Sequence, residues 1–248
     1  MQKYTFNSHF ATDFEHILPK NHLPTVLYLH GFCSNAWGYK PEAVKKVCAE
    51  HGLGFVRFDF AGHGSDAENF EKSDFSIWKN QVFEMIEKVI TGDIIMIGSS
   101  MGGWLAMLAT IQYPQRVRGL IGLAAAPNFV KYFSDRITDK QKHDLERLGK
   151  FKIVNNDFEY TITSRFIETA FASLLPDNEQ WNINCPVHLL QGMQDASVPW
   201  RSVLDYASRI TSANVVIKLL KDSNHRLNDE FAIAELRSSL VNIVNIYK

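Results

Sequence analysis

Short runs of apolar residues alternate with longer segments of mixed polarity along most of the chain. The short runs are rich in Val, Ile and Leu, and most of them end at glycine or polar residues, as buried strands do. Their apolarity is nearly continuous rather than alternating, which is typical of parallel strands covered on both faces. Six such strands are predicted, over residues 25–31, 54–60, 94–99, 119–125, 186–192 and 214–221.

The longer segments have the spacing and the terminal residues of helices. Pro41 suits a first helical turn, Gly52 follows the end of the same segment, and Pro114 stops another. Strands that alternate with helices predict an α/β fold with a mostly parallel central sheet flanked by helices. The residues before position 24 are expected to add one or two outer strands. Helices are predicted over 41–51, 74–90, 101–113, 200–210 and 229–247.

Residues 127–184 interrupt this alternation, because they contain no buried parallel strand. They include a polar helix over 134–149, a hairpin turning at Asn155, Asn156 and Asp157, and a second helix over 164–175. An excursion of this length between two sheet strands usually covers a functional site. Since no linker divides the chain, we predict one domain over 1–248 with a small lid inserted at about 127–184.

Composition and charge exclude several functional classes. The chain is 46% hydrophobic and 21% charged, as globular proteins are, and its net charge of -1 offers no basic field for nucleic acid. No apolar run approaches the ~18 residues that a membrane span needs. The first arginine is Arg57, no signal-peptide core is visible, and the three cysteines form no C-x-x-C motif. We therefore expect a cytoplasmic monomer or homodimer without metal, nucleic-acid partner or membrane span.

A serine flanked by glycines lies between the third predicted strand and the helix after it. The stretch G-S-S-M-G fits the pattern G-x-S-x-G when the serine is Ser100, because Gly98 and Gly102 stand two residues to either side. Ser99 fails this test, since its corresponding neighbours are Ile97 and Met101. A serine at a sharp turn from strand to helix has a strained backbone, and residues two positions away approach too closely for side chains. The alternative is that both serines merely cap the helix.

A serine hydroxyl becomes a nucleophile when a base takes its proton and a third group orients that base. Asp195 follows the predicted strand 186–192, and His225 follows the predicted strand 214–221. Both positions are ends of later strands, where the acid and the base of such a site belong. Asp222, three residues before His225, remains an alternative for the acid.

An acyl-transfer site also needs backbone N–H donors for the oxygen that becomes negative during the reaction. One predicted donor is Met101, which follows the candidate serine at a helix start, where free amides favour negative charge. The second is Phe32, which comes directly after His30 and Gly31 at the end of the first parallel strand. His30 itself is interpreted as a structural hydrogen-bonding residue.

Aromatic residues near these positions are candidates for binding an acyl group. Phe129 and Phe133 have helical spacing in the predicted lid and are expected to contribute to an apolar acyl pocket. Trp104 and Trp200 are expected near its mouth. The alternative is that all four residues only pack the lid, the helices and the loops together.

These motifs resemble those of the α/β-hydrolase superfamily of serine hydrolases, over a stretch from about residue 25 to the C-terminus. The stretches that carry the resemblance are RFDFAGHGSD, GSSMGGWL, NCPVHLLQGMQDASVPW and SNHRL. They are most similar to a subgroup of acyl-glucuronide esterases and protein depalmitoylases. The resemblance implies an α/β-hydrolase fold and a triad of Ser100, His225 and Asp195. The subgroup's common His-Gly pair before the acid is Gln191-Gly192 here, a departure that we expect not to touch the chemistry.

The expected function is hydrolysis of carboxylic esters or thioesters through an acyl-enzyme on the serine, with a small-molecule acyl substrate and no cofactor. Two alternatives stay open. The same triad could cleave peptides or carbon–carbon bonds, or the chain could be a non-catalytic binding protein on a hydrolase fold.

Overall fold

The structure is a computed structural model that describes residues 2–134, 136–155 and 158–246. The side chains at positions 133, 134, 154, 155 and 158 lie outside that description. So do Asn156 and Asp157 of the predicted hairpin turn.

The described residues form one sheet of eight strands and a separate two-stranded hairpin. In the sheet, the strands lie in the order β1–β2–β4–β3–β5–β6–β9–β10. The pairs β1–β2 and β2–β4 are antiparallel, and all other neighbours in the sheet are parallel. The six predicted parallel strands and the two outer strands are thereby confirmed. The strands are β1 (Gln2–Thr5), β2 (Ala11–Ile17), β3 (Thr25–Leu29), β4 (Gly54–Phe58), β5 (Ile94–Ser99), β6 (Val117–Leu123), β7 (Lys150–Asn155), β8 (Phe158–Thr163), β9 (Val187–Gly192) and β10 (Val215–Leu220).

Helices connect the parallel strands and cover both faces of the sheet. A 3₁₀ helix over Gly64–Lys72, which the sequence did not predict, precedes α2, and the segment predicted as one helix over 74–90 ends in a π-helical turn at Met85–Val89. The helix predicted over 200–210 is shorter than expected. The α-helices are α1 (Tyr39–His51), α2 (Phe75–Glu84), α3 (Met101–Gln112), α4 (Phe129–Ser134), α5 (Asp139–Leu148), α6 (Ser164–Phe171), α7 (Ser202–Ala207) and α8 (Glu230–Asn245).

Strand β5 explains why the sheet needs a layer of helices on each side. Ile94 and Met96 belong to the core cluster that includes side chains of α2 and α3, while Ile95 and Ile97 belong to the cluster of α1 and α8. All four side chains are completely buried. Successive residues of a strand point to opposite faces, so a continuous apolar run requires cover on both.

The insertion, defined as residues 127–184, connects β6 to β9 and contains α4, α5, the β7–β8 hairpin and α6. Thr138 and Gln141 form a capping box at the start of α5, and Gly149 ends that helix in a left-handed conformation. Near the two ends of the insertion, the side chain of Asn128 exchanges hydrogen bonds of 2.7 and 2.8 Å with the backbone of Leu175. These bonds tie the beginning of the insertion to its last third.

None of the helices in the described ranges has both the length and the apolar character that crossing a lipid bilayer requires.

Candidate active site

Ser100 occupies a tight turn between β5 and α3. Its backbone has φ 53° and ψ -118°, a region that non-glycine residues seldom adopt and that costs about 1–3 kcal/mol. A Cβ atom on Gly98 would lie 2.2 Å from the carbonyl oxygen of Gly102, and one on Gly102 would lie 2.4 Å from the carbonyl oxygen of Leu29. Both glycines are therefore required by close backbone approach. The side chain of Ser100 makes no capping hydrogen bond to α3.

The hydroxyl of Ser100 instead meets the imidazole of His225. The Ser100 Oγ lies 3.1 Å from His225 Nε2, although the two residues are 125 positions apart in the chain. On the other side of the ring, His225 Nδ1 lies 2.7 Å from Oδ2 of Asp195. This arrangement follows from the topology, because β5, β9 and β10 are parallel and their carboxyl ends share one edge of the sheet.

The carboxylate of Asp195 is held by its own loop as well as by His225. Its Oδ1 accepts hydrogen bonds from the amides of Ser197 and Val198, both at 2.8 Å. Burial acts to raise the pKa of Asp195, but the hydrogen bond from His225 and those from the two amides outweigh burial and hold the pKa below its usual value. Asp195 is thus an anion that can keep Nδ1 of His225 protonated, leaving Nε2 free to accept the proton of Ser100.

Gln191, at the end of β9, is completely buried and contacts the same carboxylate. Its Nε2 donates a 2.9 Å hydrogen bond to Oδ2 of Asp195, the oxygen that also accepts from His225. The sequence analysis expected the Gln191-Gly192 pair to leave the chemistry untouched, and the structure places the Gln191 side chain in direct contact with the candidate acid. The strand register turns this side chain towards the acid four residues later, which the sequence pattern alone did not reveal.

The two predicted backbone donors lie beside the serine. Met101 is the first residue of α3 and Phe32 follows the end of β3, and among the described residues neither backbone amide has a hydrogen-bond partner within the protein. His30 supports the Phe32 loop, since its Nε2 accepts from the amide of Phe60 at 3.0 Å and its Nδ1 donates to the carbonyl of Gly31 at 2.8 Å. Burial holds the pKa of His30 well below its usual value, so it is a neutral structural residue.

A cavity of about 410 Å³ opens onto Ser100 and His225. Its size falls within the range of about 300–1,000 Å³ that is usual for small-molecule sites. Both the domain body and the insertion contribute to its wall. The apolar and aromatic residues that line it include Phe32, Ala125, Ala126, Phe129, Tyr132, Tyr160, Trp181, Val198, Pro199 and Tyr206.

Of the four predicted pocket aromatics, the cavity wall includes Phe129. Trp104 is completely buried behind it, with its ring 5.8 Å from that of Phe129 and 4.1 Å from that of Phe75, so it supports the wall without reaching the cavity. Trp200 does not line the cavity either, and its ring stacks under the guanidinium of Arg201 at 4.2 Å. The side chain of Phe133 lies outside the described residues.

Charged side chains also line the cavity, and the sequence analysis did not single them out. The described lining residues include three basic side chains, Lys131, Arg136 and Arg209, and two acidic ones, Asp177 and Asp205. Lys131 forms an ion pair with Asp177, and this contact is the main cause that holds the pKa of Asp177 below its usual value. The four-residue spacing of Asp205 and Arg209 was the available signal, but it is equally typical of surface ion pairs.

The described residues contain no group of three or more His, Cys, Asp or Glu side chains arranged to hold a metal ion. What the arrangement can do is transfer a proton from a hydroxyl to an imidazole beside two free backbone donors. This is the geometry required for nucleophilic attack on a carbonyl carbon and stabilisation of the resulting oxyanion.

Residues 20–152 match a protein-family model described as serine aminopeptidase, S33. Curated relatives are similar over most of the chain. The palmitoyl-protein thioesterase ABHD10, mitochondrial, of Rattus norvegicus is 33% identical over 83% of this chain and 70% of its own length. The human protein of the same name is 31% identical over 91% of this chain and 77% of its own length.

A solved structure, the alpha/beta hydrolase domain-containing protein 10 from mouse, superimposes with a TM-score of 0.88 and 29% identity, covering 100% of this chain and 99% of that one. The structure of Est1E from Butyrivibrio proteoclasticus with bound ferulic acid has a TM-score of 0.80 over 99% of this chain and 100% of that one. Its 19% identity makes it a likeness of fold alone.

Proposed function

The chain belongs to the α/β-hydrolase family, among enzymes that hydrolyse esters and thioesters, and we propose that it does so through a triad of Ser100, His225 and Asp195. The single observation that carries this proposal is the unbroken chain of hydrogen bonds from the Ser100 hydroxyl through His225 to Asp195, open to a cavity at its serine end. The spacing of 3.1 and 2.7 Å suits proton transfer without rearrangement.

In the proposed reaction, Ser100 Oγ attacks the acyl carbon while His225 Nε2 takes its proton. The negative oxygen of the tetrahedral intermediate binds to the amides of Phe32 and Met101. His225 then delivers the proton to the leaving alcohol or thiol, which departs and leaves an acyl group on Ser100. Water, activated by the same imidazole, releases the acid. Asp195 keeps the ring in the tautomer that these steps need and stabilises its positive charge.

We propose that the substrate carries a medium or long acyl chain. The aromatic wall of the cavity favours an apolar acyl group, and the rat and human relatives are named for a thioesterase acting on palmitoyl-protein. The excess of basic over acidic side chains among the described cavity residues disfavours the ammonium group that an aminopeptidase must bind. This argument favours acyl esters and thioesters over peptides, although the matching family model is described as an aminopeptidase.

We propose further that the insertion acts as a lid on this cavity within a single domain. Phe129, Tyr132, Tyr160 and Trp181 all come from the insertion, and all line the cavity. The hydrogen bonds between Asn128 and Leu175 support the idea that it closes the site as one unit.

The cytoplasm remains the proposed compartment, with the protein acting as a monomer or homodimer and without a nucleic-acid partner. The three cysteines, all in the described ranges, are free thiols, as is usual in a reducing compartment. The rat and human relatives are named as mitochondrial, so fractionation of cells that express the full-length protein is the appropriate test.

The function is tested by a panel of acyl esters, acyl thioesters, acyl glucuronides and aminoacyl anilides, each at several acyl lengths. We expect turnover of esters or thioesters, best with medium or long chains, and a loss of at least about 10⁴-fold in kcat for Ser100→Ala. Ser99→Ala is the matched control, because Ser99 is the adjacent serine and lacks the glycine flanks. Activity that survives in Ser100→Ala would refute the mechanism, and best turnover of acetates would refute the acyl-chain assignment.

A further inference from the structure

The carboxylate of Asp195 receives four hydrogen bonds from described residues, two on each oxygen. Oδ1 is held by the backbone amides of Ser197 and Val198. Oδ2 is shared between His225 Nδ1 at 2.7 Å and Gln191 Nε2 at 2.9 Å. Gln191 is therefore the one side chain, among the described residues, that binds the acid at the same atom as the candidate base.

The amide of Gln191 is fixed on its donor side. Its Nε2 also lies 3.3 Å from the carbonyl oxygens of Val198 and Gly192, while its Oε1 is buried and has no hydrogen-bond partner among the described residues. A buried polar oxygen without a hydrogen-bond partner destabilises the folded state. The orientation is thus retained at a cost, and what it provides is an N–H group directed at Asp195.

We propose that Gln191 is a positioning residue of the candidate triad, whose amide shares Oδ2 of Asp195 with His225 and thereby sets the pH at which His225 becomes active as a base. The inference rests on the proposed function. A neutral N–H on Oδ2 stabilises the negative carboxylate and reduces its attraction for the proton on the imidazole. Unlike the histidine that is common at this position in the resembling subgroup, an amide does so without changing its charge at any pH.

Other charged or titratable groups near the pair do not supply this effect. Tyr206 on α7 faces Asp195, and burial raises its pKa, so it stays neutral through the acid range. Arg226 follows His225 in the chain and is exposed, so solvent screens its charge. Lys40 Nζ donates to the carbonyl of Arg226 at 2.5 Å, and burial lowers the pKa of Lys40 to about 8. Lys40 therefore keeps its charge through the acid pH range in which an imidazole base loses activity.

The test compares wild type with Gln191→Leu, which removes the donor and keeps an apolar side chain of similar length. Loss of one hydrogen bond to a charged group should lower kcat/KM on the plateau about tenfold with little change in KM. The acid limb of the pH–rate profile should move to higher pH, because the carboxylate then attracts the proton on His225 more strongly.

Gln191→His restores an N–H donor and should recover most of the plateau activity. When the new imidazole at position 191 is protonated, its positive charge disfavours a second positive charge on His225. The acid limb of the pH–rate profile should therefore move to lower pH in this variant. Gln194→Leu is the matched control, because Gln194 lies in the loop that follows β9 and its side chain donates to the carbonyl of Lys221 instead of to Asp195. It should leave both the plateau and the limb unchanged.

A readout that is independent of turnover separates this proposal from the proposed function. Proton NMR of folded protein follows the titration of the His225 ring and the downfield signal of the hydrogen bond between His225 and Asp195. The inference is supported if the titration midpoint of this ring rises in Gln191→Leu. It is overturned if folded Gln191→Leu keeps the wild-type midpoint or lowers it, whereas a wild type that cleaves no acyl substrate contradicts the proposed function and not this inference.

Discussion

Replacing Asp195 with asparagine should nearly abolish turnover while leaving the protein folded. Each oxygen of the Asp195 carboxylate accepts hydrogen bonds from two N–H groups. In an asparagine, an NH₂ group replaces one of these oxygens. Whichever way the asparagine side chain is oriented, its NH₂ therefore faces two N–H donors and has no acceptor there. The amides of Ser197 and Val198 are backbone groups that cannot change their role. Gln191 can, because turning its amide would present the unpartnered Oε1 to the new NH₂.

The less costly orientation therefore places the NH₂ of the asparagine against His225. The ring then shifts its proton from Nδ1 to Nε2, where it points at Ser100 Oγ and cannot accept a proton. A base held in the wrong tautomer reduces kcat by about 10⁴-fold. This factor corresponds to about 5 kcal/mol in the activation free energy, at 1.36 kcal/mol for each factor of ten.

The assay measures kcat/KM on the best acyl ester together with the free energy of unfolding by urea titration. Asp222→Asn is the matched control, since Asp222 is the other carboxylate that the sequence offers as a partner for His225. It should leave kcat/KM unchanged. The reasoning is refuted if Asp195→Asn retains more than a tenth of the activity, or if Asp222→Asn causes the large loss instead.

Gly98→Ala should prevent folding or remove several kcal/mol of stability, because the new Cβ would lie 2.2 Å from a backbone oxygen of Gly102. The control is Gly38→Ala, whose new Cβ meets no atom within 4 Å. Equal melting temperatures for the two variants would contradict the tight turn at Ser100. Burial lowers the pKa of His63 to about 4, against an unfolded value near 6.5, so the folded state binds fewer protons between these values. The stability that this group provides is complete above about pH 6.5 and is lost as the pH falls towards 4, by up to about 3 kcal/mol at 1.36 kcal/mol per pH unit. The free energy of unfolding, measured by urea titration at pH 7.5 and at pH 4.5, checks this loss. The difference between the two pH values should be smaller in His63→Gln than in wild type. An equal difference in the two proteins would contradict the assignment to His63.

The parallel sheet and the position of Ser100 could be predicted because each depends on a strong local constraint. The run of residues 94–97 is apolar at every position, and a strand like that is stable only between two layers of helices. Gly98 and Gly102 mark the serine because no side chain fits at either position. The loop holding Asp195 also has a local cause, since an aspartate readily accepts the amide two residues later, as it does from Ser197.

The contacts that the sequence did not reveal are those between segments that no local rule relates. The hydrogen bond from Gln191 to Asp195 depends on the angle at which the chain leaves β9, and a glutamine in an apolar strand carries no sign of it. Trp104 follows Ser100 by one helical turn, which made the cavity a reasonable expectation. The structure instead directs its ring between Phe75 and Phe129. The basic and acidic side chains around the cavity come from separate segments whose proximity appears only in the folded chain.

Covalent labelling by a fluorophosphonate reports whether His225 activates Ser100, since this reagent reacts with a serine only when a base has activated it. We predict an adduct of one reagent per chain, mapped by peptide mass spectrometry to Ser100 and lost in Ser100→Ala and His225→Ala, with Ser99→Ala labelled as fast as wild type. A folded protein that takes no label, or that takes it at another serine, would contradict a nucleophilic Ser100.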